Sequence, residues 1–138
     1  VIVTLVPKEL YLDLFPKIES YLNKAAKYTY GRYSAEDIKN TLLKDRQQLW
    51  VAFEGETIYG FVVTEVITYP QMKALVMHFT AGKELTKWKD VMLSEIQEFA
   101  KETGCKVIES YGRKGWAKVF KNDGYNIKFI FYELPVEN

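Results

Sequence analysis

Val1 to Val6 is an unbroken aliphatic run around one threonine, and it predicts a first strand that ends at Pro7. Apolar side chains then recur at Leu10, Leu14, Ile18, Tyr21, Leu22 and Ala25, the spacing of a helix with one apolar face. Pro16 falls inside this pattern and has no amide hydrogen to give, so a kink or restart is expected near Phe15. Tyr28-Thr29-Tyr30-Gly31 ends the segment. Ser34, with Asp37 three residues on, has the form of a capping box, and Ile38, Leu42 and Leu43 supply the buried face of a short second helix.

From Leu49 the pattern becomes that of strands. Leu49 to Phe53, a turn at Glu54-Gly55-Glu56, Thr57 to Ile67, a turn at Tyr69-Pro70-Gln71, and Met72 to Thr80 predict a three-stranded meander. Leu85, Trp88, Met92, Ile96, Phe99 and Thr103 then share one face of a long helix with Lys and Glu opposite, and Gly104 stops it. Cys105 to Ser110 reads as a strand. A strand, a long helix and another strand within about thirty residues imply a crossover and a parallel pair. Gly112 to Asn122 reads as a last helix, stopped by Asp123-Gly124, and Tyr125 to Leu134 as a closing strand. The order β-α-α-β-β-β-α-β-α-β predicts an α/β (α+β) fold, a mixed central sheet flanked by helices on both faces.

Length and composition narrow the picture. The 138 residues suit one domain spanning 1–138. A content of 48% apolar and 27% charged residues suits a packed core. Nineteen basic against eighteen acidic residues leave a net charge of +1, and sixteen of the cations are Lys, so no nucleic-acid or membrane-surface partner is expected. No apolar run approaches the ~18 residues of a membrane span, and no signal pattern opens the chain. Cys105 alone cannot form an internal disulfide, which favours a reducing cytoplasm, and one His with one Cys excludes a His/Cys metal cage. Cys105 reads as a buried thiol at a strand start. The aromatic share of 15% is high: either a small core is filled with large side chains, or an aromatic surface meets a ligand or partner.

Three stretches carry a resemblance. Ala100-Lys-Glu-Thr-Gly104-Cys-Lys-Val-Ile-Glu109 and Ala117-Lys-Val-Phe120-Lys-Asn-Asp-Gly124-Tyr125, together with the element order, resemble the GNAT superfamily of N-acetyltransferases. Gly112-Arg113-Lys114-Gly115-Trp116 resembles a segment of its bacteriophage-encoded branch. The resemblance implies parallel fourth and fifth strands that splay apart, with the pantetheine of acetyl-CoA, the co-substrate, in the gap. It also implies a pyrophosphate on the amides that open the long helix, where unpaired N–H groups and the positive end of the helix dipole coincide. Phe79-Thr80-Ala81-Gly82-Lys83-Glu84 aligns with the family's Gln/Arg-x-x-Gly-x-Gly/Ala signature, but keeps one glycine and places Phe first and Glu last.

On this basis Phe79, Thr80, Gly82, Lys83, Lys87 and Arg113 are the cofactor-binding candidates. The lysines also fit an ordinary solvated helix end. Where many members place a proton-donating Tyr, this chain has Phe120, so Tyr111, or else Tyr125, would have to serve as the acid. The base candidates are His78, the only histidine, and Glu65 on the preceding strand; each also fits a purely structural strand position. The implied partners are an acyl-CoA and an amine acceptor in the cytoplasm of a bacterial host cell. The rival reading is an inactive scaffold, virion-associated or protein-binding, in which Trp88 or Phe79 plugs the gap. Phe79, Trp88, Tyr111 and Phe120 are expected to gather around the groove. Phe129 to Tyr132 would suit pairing across the edge of a homodimer.

Overall fold

The computed structural model describes residues 1–111 and 121–136. Strands Ile2–Leu5 (β1), Gln47–Glu54 (β2), Thr57–Thr68 (β3), Lys73–Gly82 (β4) and Val107–Ser110 (β5) form one sheet in the order β1-β2-β3-β4-β5. Neighbours from β1 to β4 run antiparallel, and β4 with β5 runs parallel. The parallel pair follows from the crossover helix between its strands, since a short turn cannot return a chain in the same direction.

Pro16 acts as its ring dictates. Helix α1 (Tyr11–Leu14) passes into a 3₁₀ turn at Phe15–Ile18 with Pro16 in its first turn, where no amide hydrogen is needed, and α2 (Glu19–Lys27) restarts the α-helix. Helix α3 (Ala35–Leu42) opens with the full capping box: the Asp37 amide donates to Ser34 Oγ at 3.1 Å and the Ser34 amide to the Asp37 carboxylate at 2.9 Å. Hydrogen bonds from the Ser34 amide first, and from its hydroxyl second, hold the Asp37 carboxyl below its usual range.

The helices bury the two faces of the sheet separately. Ile18, Leu22, Ile38 and Leu42 from α2, α3 and the turn before them meet Leu49, Val51, Phe61 and Val63 on one face. Met92, Ile96 and Ala100 of α4 (Lys89–Glu102) meet Trp50, Ala52, Val62 and Leu75 on the other. The alternation along β2 and β3 thus serves two cores.

Two expectations are corrected. The long helix does not begin at Leu85. Glu84 takes a left-handed φ of +50° and Leu85–Lys87 forms a 3₁₀ turn before α4 starts at Lys89. Tyr125 to Leu134 is not a strand: among the described residues no strand follows β5, and the run after the part-buried Tyr125 lies exposed. Its residues are strand formers, but a strand needs a hydrogen-bonding neighbour, and strand propensity depends on that context. Of the expected last helix only Lys121 and Asn122 are described, both helical; Arg113, Trp116 and Phe120 lie outside the described residues. Among the described residues no helix is long and apolar enough to cross a membrane.

Candidate functional site

A register change in the middle of β4 organises the site. Val63 pairs with Phe79 and Thr64 with Met77, so His78 is an extra residue with no partner on β3. This is a β-bulge, which re-aims side chains and locally ends regular pairing. Before it, Leu75 and Met77 face α4; after it, Phe79 and Ala81 face the α1–α3 layer. His78 and Phe79 therefore project from the same face. The parallel pairing with β5 ends at the same place, with Met77 opposite Ser110. Beyond it the β4 main chain runs on from His78 to Gly82 past its last β5 partner.

On the α1–α3 face the bulge brings two sequence candidates together. His78 Nε2 lies 2.9 Å from Glu65 Oε1, with both side chains mostly buried. Gln47, directly opposite Glu65 in the β2–β3 register, donates from Nε2 to the same oxygen at 3.4 Å. A carboxylate only accepts, so it selects the histidine tautomer with hydrogen on Nε2 and leaves the Nδ1 lone pair available. Phe79 stacks edge-on against Tyr33 at 5.1 Å, which seats the α2–α3 loop beside the bulge.

The opposite face is built around Trp88. Its indole lies on two glycines of adjacent strands: a Cβ on Gly60 would come 2.5 Å from Trp88 Cζ2, and one on Gly82 would come 2.3 Å from the Tyr59 carbonyl oxygen. Trp88 Nε1 donates to the Lys83 carbonyl at 2.9 Å. Tyr59 is itself an extra residue on β3, between Ile58 and Gly60 in the pairing with β2, and it packs with the α4 side. The Lys83 amide donates to its carbonyl at 2.7 Å. Over its ring lie the ammonium groups of Lys83 at 5.8 Å and Lys87 at 5.3 Å. Lys24, reaching from α2, donates to the Gly82 carbonyl at 3.0 Å. Three ammonium groups thus surround the approach to α4, with Glu84, 3.1 Å from Lys87, the acid among them.

Thr80 faces α4 and lines a small apolar cavity with Val62, Met77, Leu85 and Met92, closed by Asp123 and Tyr125. Asp123 binds Lys89 at 2.8 Å, and the Tyr125 hydroxyl points at Met77 Sδ at 3.5 Å. Burial, helped by the Asp123 charge, pushes the Tyr125 phenol up from its ordinary value.

The sequence candidates therefore separate. His78 and Glu65 form one pair. Thr80, Gly82, Lys83 and Lys87 form a strip from β4 towards α4. Phe79 does not join that strip, because the bulge turns it to the other face. Tyr111, just past β5, is 76% exposed and close to Tyr69, whose phenol is pushed up to about 12, chiefly by its hydrogen bond to Glu109. Arg113 and Phe120 lie outside the described residues. The expected gathering of aromatics around the groove is corrected: Phe79, Trp88 and Tyr111 go to three different places. Trp88 is seated over Gly60 of β3 and Gly82 of β4, and Phe79 packs against Tyr33 on the other face. Cys105 is only partly buried. Lys24 and Gln47 carried no signal in the sequence, because only the folded sheet brings them to the site.

No family model matches the chain, and no curated protein matches it in sequence. Solved structures do match in fold. A probable acetyltransferase superposes with a TM-score of 0.72 at 16% identity, covering 100% of this chain and 99% of that one. A ribosomal-protein-alanine N-acetyltransferase from Brucella melitensis biovar Abortus 2308 gives 0.71 at 14% identity, with 99% and 100% covered. An aminoglycoside acetyltransferase from an uncultured soil metagenomic sample, in complex with sisomicin, gives 0.65 at 12%, with 97% and 96% covered. The mixed five-stranded sheet flanked by helices matches the GNAT fold.

Proposed function

We propose that this chain is an N-acetyltransferase that moves the acetyl group of acetyl-CoA to an amine. The observation that carries the reading is the His78–Glu65 pair at a bulge where the β4–β5 pairing stops. Only a neutral amine attacks a thioester, so the site must take a proton from an ammonium. His78 Nδ1 accepts that proton, and Glu65 holds the tautomer and steadies the imidazolium that forms. The new C–N bond replaces the C–S bond. The Tyr125 hydroxyl, beside Met77 and kept protonated by burial, gives its proton to the leaving sulfur, and the second proton shed by the nitrogen as the amide forms restores the phenol through solvent. It is better placed for this than the exposed Tyr111. A main-chain amide of the His78–Thr80 stretch is the natural donor to the thioester oxygen.

The residues present fit acetyl-CoA in two respects. The unpaired β4 main chain suits the amides of the pantetheine arm. Lys24, Lys83 and Lys87 near the start of α4 suit the pyrophosphate. Glu84 opposes this, and it favours the second reading, a scaffold with weak or lost cofactor binding. The bacteriophage resemblance, a bacterial cytoplasm and a homodimer remain part of the proposal. Calorimetric titration with acetyl-CoA tests it: binding is expected, and the absence of heat at millimolar ligand overturns it.

Glu84→Gly is expected to tighten acetyl-CoA binding by about two- to fivefold, the scale of a charge at a helix N-terminus. Glycine also takes the +50° φ without strain, and the Lys87 pair that is lost is exposed and worth little. Unchanged affinity in the same titration would place the pyrophosphate elsewhere.

A further inference from the structure

Gln47 on β2, Glu65 on β3 and His78 on β4 form a polar row across three adjacent strands, on a face otherwise built from Leu49, Val51, Phe61 and Val63. One end of the Gln47 amide is used: Nε2 donates to Glu65 Oε1 at 3.4 Å, the oxygen that also holds His78 Nε2. The other end is not. Among the described residues, Gln47 Oε1 is the one buried side-chain oxygen or nitrogen with no hydrogen-bond partner. Turning the amide over would set its oxygen against the Glu65 carboxylate, so the carboxylate fixes the orientation and leaves the oxygen over. A buried acceptor without a donor destabilises a fold, and an apolar side chain of the same shape would avoid that cost. The adjacent Gln48 carries no such penalty. On the opposite face its Oε1 accepts from the Thr64 hydroxyl at 2.8 Å, and Thr64 accepts from Trp50 Nε1 at 3.0 Å.

We infer that Gln47 is a positioning residue, which holds the Glu65 carboxylate in line with His78 Nε2 and so keeps Nδ1 as the nitrogen open to the acceptor amine. The strand ladder shows why such a residue is needed. His78 is the bulge residue and has no partner on β3, so the β3–β4 pairing does not align Glu65 with it. Between β2 and β3 the register is regular at this end, and it sets Gln47 directly opposite Glu65. The carboxylate is therefore fixed from the ordered side and presented to the irregular one. Held by the histidine alone, a long glutamate side chain would turn its carboxylate among several rotamers. With Gln47 and His78 on the same oxygen, that freedom is reduced. The orphaned oxygen is the consequence: the amide is oriented for Glu65 and not for its own satisfaction. The use of Nδ1 rests on the acetyl-transfer reading; the hold on Glu65 does not.

His78 is the only histidine, so its two ring nitrogens can be read directly in nitrogen-15 spectra of histidine-labelled protein. At a pH where the ring is neutral, the wild type is expected to carry its hydrogen on Nε2. Gln47→Met keeps the length of the side chain and removes both the donor and the orphaned oxygen. It is expected to leave the melting temperature unchanged or higher and to mix the two tautomers. It should also lower kcat for acetyl transfer by about three- to tenfold, a small part of what a whole general base contributes. The KM for acetyl-CoA should not move. A hydrogen on Nδ1 in the wild type overturns the inference. So does a Gln47→Met protein that keeps the single Nε2–H tautomer, or one that melts several degrees lower, which would make Gln47 a structural residue. Tautomers that mix while the rate stays unchanged support the hold on Glu65 and overturn the base role of His78; the same holds if they mix and the wild type transfers no acetyl group.

Discussion

His78→Gln is expected to lower the acetyl-transfer rate by about 10²- to 10⁴-fold, the span that one positioned general base contributes. Glutamine keeps similar bulk and can still donate to Glu65, so the bulge and the neighbouring strand pairs stay in place. The loss should fall on kcat, with acetyl-CoA affinity unchanged, because the ammonium strip and the β4 main chain are untouched. Glu65→Gln should cost less, because it leaves the imidazole present and only releases its tautomer and the charge that steadies its protonated form. Steady-state kinetics with a reactive amine, alongside calorimetry, separates the two effects. A His78→Gln rate within threefold of wild type would remove the base role and with it the proposed mechanism.

Trp88→Ala is expected to cost about 3–5 kcal/mol of stability, the range for deleting a large buried aromatic. Trp88 is 2% exposed, packs on the backbone of Gly60 and Gly82, and gives its indole N–H to the Lys83 carbonyl. The two glycines beneath it cannot fill the space, because they lack side chains and are held in paired strands. For a chain of this size the loss corresponds to a fall in melting temperature of roughly 10–20 °C. Gly82→Ala approaches the same contact from the other side. Its Cβ would meet the Tyr59 carbonyl oxygen, a main-chain atom that cannot swing away, so β3 and β4 must separate locally. A fall of only a few degrees for Trp88→Ala in thermal unfolding would mean that the seat is loose.

The sheet and its helices were legible because their signals are local. Pro16, the Ser34–Asp37 pair and the Leu85-to-Thr103 face each act within a few turns of their own helix, and the structure departs from them only where Glu84 delays the start of α4. The site was less legible. His78 and Glu65 stood in the sequence as alternatives, thirteen residues apart, and only the β3–β4 register makes them partners. The bulge is hidden because Ala74 to Phe79 is apolar at almost every position, so the switch of faces leaves no break in the pattern. The face to which the Phe79 side chain turns was unreadable for that reason. The tail erred in the opposite direction: its strand-forming residues are evident, but a strand also needs an edge to join, and propensity does not say whose.

The bulge has a further consequence for how this protein can change. A residue with no cross-strand partner bears little of the ladder's stability, so position 78 can vary without unfolding the sheet around it. In a saturation library scored once for cellular abundance and once for acetyl transfer, position 78 should stand apart, permissive in the first screen and strict in the second. Gly60, Gly82 and Trp88 should already fail in the first. The fold thus keeps its chemistry at a point where selection can rewrite it without first buying back stability.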